Sequence, residues 1–257
     1  MTPVVFLAWQ NPRTNRWFPI GRLRREEGEY EFEYVAGIRD AQLHSEFSRL
    51  VGFPDLEARY VSRTLFPLFA NRLMSSSRPD YSKYLSYFRL IPSKGNEMLV
   101  LGRTGGFRAT DNFEIFPYPE GEPGGEYRTW FFAHRLNLMS DSSIDRVAKL
   151  REGERLRIFA DIQNPADEQA LGLRTGDDAP QEFHILGYLP RYLRSDVHFM
   201  MKSSGTQPMV TVEKVNPVPA PLHLRLLCRL RMPWPIGFEP FSGPEYQPIA
   251  SAALQPA

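Results

Sequence analysis

The chain has 257 residues, 42% of them apolar, one cysteine and a formal net charge of +1. A chain of this length buries roughly 70–75% of its unfolded surface and needs no staple, and the lone Cys228 excludes an intramolecular disulfide and fits a reducing compartment. A near-neutral total removes any global electrostatic signature of nucleic-acid binding, and no apolar run nears the ~18 residues of a membrane helix.

Charge is distributed unevenly. Arg13, Arg16, Arg22, Arg24 and Arg25 fall in the first 25 residues, which hold no acid, whereas residues 161–182 carry six acids against one arginine. The sequence therefore predicts a basic end and an acidic loop. The N-terminus has no basic residues ahead of its apolar run and does not read as a signal peptide. A soluble, cytoplasmic chain without membrane association is expected.

Residues 4–35 read as a three-strand meander. In its third strand, YEFEYV, period-two alternation places Tyr30, Phe32 and Tyr34 on one face. Three helices are predicted next: one capped by Asp40 with Leu43, Phe47 and Leu50 inward, one capped by Thr64 with Pro67 in its first turn, and one opened by Pro79. MLVLGRT, Gly105-Gly106 and FRATDNFEIFPY then predict a β-hairpin. Residues 119–126, PEGEPGGE, are a linker by composition. After it come a strand at TWFFAHRLNL, a short helix around Ile144 and Val147, and strands at RLRIFADI, ALGLRT and EFHILGYL. A helix is expected after Pro190, then strands at MVTVEKV and LHLRLLCRL. The Pro-rich tail from residue 233 is expected to wrap or fray.

Chemistry-bearing motifs are missing. There is no phosphate-binding GxxxxGK[ST] loop and no GxGxxG after a strand. RTGGFR reads as a turn. The five histidines, His44, His134, His184, His198 and His223, show no metal-ligand spacing. Cys228 sits in an apolar alternating run and reads as a small buried hydrophobe. Ser75–Ser77 lack a nucleophile elbow. The expectation is a non-enzyme with no cofactor and no metal.

Two linked motifs in the second half carry a family resemblance. Residues 156–196 contain Asn164-Pro165-Ala166-Asp167, then Ala170 opening a strand, then Gly187-Tyr188-Leu189-Pro190-Arg191. Asn-Pro-x-Asp is a turn in which Pro165 fixes φ, and Gly187 permits a bulge or a close backbone approach. The pair, at this separation, resembles the HIRAN domain, a small β-barrel found alone in bacteria and fused to helicase-like remodelling enzymes in eukaryotes. The resemblance covers about residues 127–215. It implies an α+β, β-rich chain whose OB-like barrel carries the N-terminal meander and helices packed on it. The implied domains are 1–118, 127–215 and a Pro-rich strand and tail at 216–257.

Characterised members of that family bind the 3′ end of single-stranded DNA. The resemblance therefore implies a nucleic-acid site in which Gln163 and Asn164 face the terminal nucleotide and Asp167 accepts from its hydroxyl. Tyr188 and Arg191 would meet base and phosphate, with Arg135 contributing from the leading strand. Ala166 stands where DNA-binding members often carry tyrosine, and His134-Arg135-Leu136 stands where an Arg-aromatic pair is expected. The acidic segment 177–182 would oppose binding if it covered the groove. The short strand into WFPIGRL, YEFEY and LFPLFANRL resemble, more faintly, the N-terminal subdomain of HipA-type toxin kinases, which implies a protein-interaction surface in the N-terminal region. Three functions are in view: a single-strand binder acting in DNA repair or defence against foreign DNA, a regulatory interaction module whose barrel has lost DNA binding, and, with no motif to support it, an uncharacterised hydrolase.

Overall fold

The computed structural model describes residues 4–45, 47–93, 95–165, 167–176, 183–250 and 254–256. Ala166 and the acidic segment 177–182 lie outside them. The fold is α+β and β-rich, with two six-stranded sheets, and the chain divides into two compact units. The first comprises residues 1–86, 90–118 and 241–257; the second comprises 87–89 and 119–240.

The first unit opens with the expected meander: β1 (Val4–Gln10), β2 (Trp17–Glu26) and β3 (Glu29–Tyr34). Its sheet continues through β4 (Arg59–Ser62), β5 (Phe113–Pro117) and β12 (Leu254–Pro256), in the order β12-β4-β3-β2-β1-β5. All pairs are antiparallel except β4 with β12. Tyr30, Phe32 and Tyr34 are all buried, as the alternation requires. The Tyr34 hydroxyl donates to the Phe53 carbonyl (2.8 Å) and accepts from the Leu50 amide (2.9 Å). Burial pushes its pKa up to about 12. Because the folded value lies above the unfolded value near 10, the stability Tyr34 contributes is whole below pH 10 and is lost as pH rises through 12. A Tyr34→Phe variant, lacking this group, should show a shallower loss of melting temperature across that window.

Three of the five arginines in the first 25 residues, Arg22, Arg24 and Arg25, lie against acids. Registry sets Arg22 opposite Glu33 and Arg24 opposite Glu31, and the pairs close at 2.5 Å and 2.8 Å. Arg25 lies over the Tyr30 ring, donates to the Gly95 carbonyl and approaches Glu97. The acids of YEFEYV neutralise the arginines of the neighbouring strand.

The helical region departs from expectation in several places. The first helix, α1, spans Gly37–His44; its N-cap is Ala36, Asp40 lies within its first turn, and it buries Gly37, Ile38 and Ala41 while Leu43 is exposed. The second, α2, is a single turn, Pro67–Ala70, capped at Phe66 and not at Thr64. Tyr81–Ser86 forms α3. The predicted hairpin is half wrong: MLVLGRT belongs to α4 (Glu97–Thr104). An acid in the first turn, a base in the last and a left-handed Gly105 (φ 72°) at the C-cap are helix signals. The Gly-Gly pair is a helix stop, and the Gly106 carbonyl accepts from Arg72.

The second unit holds β6 (Glu126–Phe132), β7 (Arg155–Ala160), β8 (Leu171–Thr175), β9 (Ile185–Tyr188), β10 (Met209–Val215) and β11 (Leu226–Pro233), ordered β6-β11-β10-β7-β8-β9. Two helices accompany them, α5 (Asp141–Ala148) and α6 (Arg191–Ser204). Leu193, Val197 and Met200 form the buried stripe of α6 at helical spacing. LHLRLLCRL is not one strand: Leu222–Leu224 is a 3-10 turn and β11 begins at Leu226. One of the two sheets is a curled half-barrel. In the second sheet the edges meet at one point, where His134, two residues beyond β6, exchanges both backbone hydrogen bonds with Tyr188 (2.8 Å and 3.0 Å).

The tail is packed where it is described. Phe241 and Tyr246 are buried against Phe6 in the first unit, and Trp234 is buried in the second. No helix among the described residues is long and apolar enough to cross a membrane.

Candidate functional site

The closing bridge organises one corner of the second unit. Gly187 has φ 116°, and a Cβ there would sit 2.6 Å from the His134 carbonyl oxygen. Only glycine lets the two edges approach that closely. The β8–β9 register shifts beside it, so both the bulge and the close approach expected at Gly187 are present. Immediately after the bridge, Arg135 adopts a left-handed conformation (φ 62°), with an exposed side chain, and leads into the 3-10 turn Leu136–Leu138.

The turn after β7 reaches the same corner. Its backbone is stitched by successive bonds, from the Asn164 amide to the Asp161 carbonyl, the Asp167 amide to the Asn164 carbonyl and the Ala170 amide to the Asp167 carbonyl. The Tyr188 hydroxyl donates to Asp161 Oδ2 (2.8 Å), and the Asn164 amide group donates to the same oxygen (3.0 Å). Burial, then the bond to Asp161 and its charge, raise the Tyr188 pKa. The ring is thus fixed by its tip while its body stays half-exposed.

Asp167 is held by the start of α6. Its Oδ1 accepts from the Gln169 amide (3.1 Å), and its Oδ2 pairs with Arg194 and lies 3.9 Å from Arg191 Nε. Pro190 at the N-cap ends β9 and starts the helix within two residues of Tyr188, which is why the strand-end motif and the cationic first turn arrive together.

Of the six site residues read from the sequence, Asn164 joins Tyr188 through Asp161, Asp167 joins Arg191, and Arg135 follows the residue that bridges to Tyr188. Gln163 is exposed on the same turn. Neither the Tyr188 hydroxyl nor the Asp167 carboxylate is idle: Asp161 and Arg194 already hold them.

Solved structures offer two partial likenesses. A protein from Lactobacillus plantarum matches 42% of this chain over 98% of its own length, at 17% identity and a TM-score of 0.31. The HIRAN domain of human HLTF matches 42% of this chain over 73% of its own length, at 16% identity and a TM-score of 0.28. No family model matches the chain. No curated protein matches it.

Three residues of this corner escaped the sequence reading. Asp161 is the acceptor that orients Tyr188. Arg194, one helical turn after Arg191, is the main partner of Asp167. Phe159 sits across from Gly172, which itself pairs with Tyr188, so the Phe159 and Tyr188 rings share one face of the sheet. The signals were the Arg155-Arg157-Phe159 alternation for the third and the i, i+3 spacing for the second. Asp161 had none, since its role exists only once the turn meets β9. Cys228 is fully buried, and burial pushes its thiol pKa up, opposite to the shift a nucleophile requires.

Proposed function

We propose that the chain is a non-catalytic, HIRAN-type nucleic-acid-binding protein that receives the end of a single strand at the closing corner of its second unit, in DNA repair or in defence against foreign DNA. One observation carries the reading. The Asn-Pro-x-Asp turn, the Tyr188 strand end and the cationic start of α6 converge, though 27 residues separate the paired Asp161 and Tyr188. A ring fixed at its tip and flanked by arginines is suited to stack a base and neutralise its phosphate. Arg191 and Arg194 both reach Asp167, so two cations share one carboxylate at the start of α6.

In this reading Tyr188 is the stacking platform, Arg191 and Arg135 are phosphate partners, and Asn164 and Gln163 meet the terminal nucleotide. Asp167 holds the arginines and accepts from a terminal hydroxyl with its remaining lone pairs. The test is an anisotropy titration with single-stranded oligonucleotides bearing free or blocked 3′ ends, at two salt concentrations. Loss of a stacked base costs about 1–3 kcal/mol, so Tyr188→Ala should weaken binding about tenfold. Arg191→Ala should weaken it similarly and reduce the salt dependence by about one phosphate. An unchanged affinity with a lowered melting temperature for Tyr188→Ala would sink the assignment.

A second reading, a protein-interaction module whose barrel binds no DNA, is favoured by the pairing of Asp167 with Arg194, which ties up a carboxylate and a cation in each other. Its expected result is no oligonucleotide binding at low salt.

A further inference from the structure

Asp161 holds the tip of Tyr188 with only half of its carboxylate. Oδ2 accepts from the Tyr188 hydroxyl at 2.8 Å and from the Asn164 amide group at 3.0 Å. Each carboxylate oxygen offers two lone pairs, so Oδ2 is full. Among the described residues nothing donates to Oδ1, and Asp161 makes no ion pair. The side chain is only half-buried, so Oδ1 is open to a donor from outside.

Asp167, the other carboxylate of this corner, is engaged on both sides. Its Oδ1 accepts from the Gln169 amide, and its Oδ2 meets Arg194 and Arg191. Asp161 has neither a cation nor a full set of donors. Orienting Tyr188 requires one oxygen, and the neutral oxygen of an amide side chain would serve. The charge and the second oxygen exceed what positioning the ring demands. Beside a phosphate chain an unanswered carboxylate is repulsive, unless the ligand brings it a hydrogen to accept.

The lie of Tyr188 says which hydrogen. The root of the residue stands at the clasp, where its backbone pairs with His134; Arg135 follows His134, and Arg191 opens α6 three residues after Tyr188. The tip stands at Asp161. With phosphates at Arg135 and Arg191, a base stacked on the ring points the edge opposite its glycosidic bond toward the tip. In cytosine and adenine that edge carries an amino group, a donor, whereas in thymine it carries O4, an acceptor. Thymine O4 would meet Oδ1 as one acceptor against another.

We propose that Asp161 reads the terminal base, accepting with Oδ1 from the amino group of a cytosine or adenine stacked on Tyr188 and rejecting thymine. The inference rests on the reading of this corner as a single-strand end site and adds a base preference to it. Asp161 then performs two tasks, positioning the ring through Oδ2 and selecting the base through Oδ1.

The test uses the full chain and thymidine oligonucleotides of about 8 nucleotides, within the site size of single-strand-binding barrels, that differ only in the 3′-terminal base. Terminal cytosine should bind about tenfold more tightly than terminal thymine, the scale of a hydrogen bond to a charged group. The advantage should vanish when the cytosine is moved to an internal position, and when the terminal base is 2-pyrimidinone, a cytosine without its amino group. Asp161→Asn keeps an oxygen for Tyr188 and Asn164 and turns an amide N–H toward the ligand, so preference should pass to thymine, whose O4 accepts. A role confined to positioning the ring would lower affinity for every terminal base alike. Equal affinity for terminal cytosine and thymine overturns the proposal, as does a cytosine preference that survives Asp161→Asn. Should that variant melt early, the pyrimidinone comparison decides on the parent chain alone: binding as tight as that of cytosine overturns the proposal. If binding needs Tyr188 and a free 3′ end but ignores the terminal base, the end site stands and the base preference falls. If no oligonucleotide binds, or if Tyr188→Ala and a blocked 3′ end change nothing, the end site fails and the base preference fails with it.

Discussion

Glu33→Ala is expected to destabilise the first unit by about 3–5 kcal/mol, the range for breaking a buried ion pair by removing one partner. Glu33 is 2% exposed although it alternates with Tyr30, Phe32 and Tyr34 on β3. It survives there because the two neighbouring strands deliver three cations to it. Arg22 on β2 and Arg59 on β4 are its direct cross-strand neighbours. Oε1 accepts from Arg22 Nη2 at 2.5 Å and Oε2 from Arg59 Nε at 3.3 Å, while Arg24 stands 3.9 Å away. Removing the carboxylate leaves arginines that are only 25% and 31% exposed without their charge partner. A thermal melt should move down by about 10 °C. Glu33→Ala combined with Arg22→Ala should lose less than the sum of the two single losses, because the pair is coupled. A Glu33→Ala protein melting within a degree of the parent would show that the carboxylate contributes nothing.

Gly187→Ala should cost about 3 kcal/mol or more, combining a backbone region that disfavours side chains, about 1–3 kcal/mol, with overpacking of similar size. Its Cβ would stand 2.6 Å from the His134 carbonyl oxygen and 3.3 Å from the Ala133 side chain, and neither backbone nor a buried alanine can retreat. Gly28, in the β2–β3 turn, is a matched comparison: its φ is 88° but nothing lies within 4 Å of its Cβ position. Gly28→Ala should therefore lose only the strain component, about 1 kcal/mol. The difference between the two measures the collision. Hydrogen exchange at the His134 and Tyr188 amides should accelerate in Gly187→Ala and stay unchanged in Gly28→Ala. Equal losses in both variants would mean that the edges do not meet at Gly187.

The meander and the two motif segments were legible because their information is local. Period-two aromatics fix the face of β3, and Asn-Pro-x-Asp fixes a turn. The region between was harder. The run of α4 is apolar at four consecutive positions, which suits either a strand or a buried helix; Asn96, Glu97, Arg103 and Gly105 held the helix signals, but the Gly-Gly pair also fits a hairpin. Strand β4 is four residues long and has no alternation to read. The pairing of Arg22 and Arg24 was not legible because their partners, Glu31 and Glu33, lie in the next strand and meet them only once it folds back. In the site, Tyr188 and Arg191 could be named from a motif. Asp161 could not, since Tyr188 reaches it only once β9 lies beside the turn.

A curved sheet whose edges are fastened at one point opens at that point. Every neighbouring pair of strands in the second sheet shares at least two residue pairs of ladder, whereas β9 and the residue beyond β6 share the single His134–Tyr188 pair. The smallest opening of this sheet is therefore the release of that clasp, and openings of this kind are what set exchange of individual amides. Tyr188 is both half of the clasp and the proposed ligand contact. Anything that binds only the fastened form must tighten the fastening by the free energy of its own binding. The exchange rates of two backbone amides then become a meter of occupancy that needs no label on the ligand.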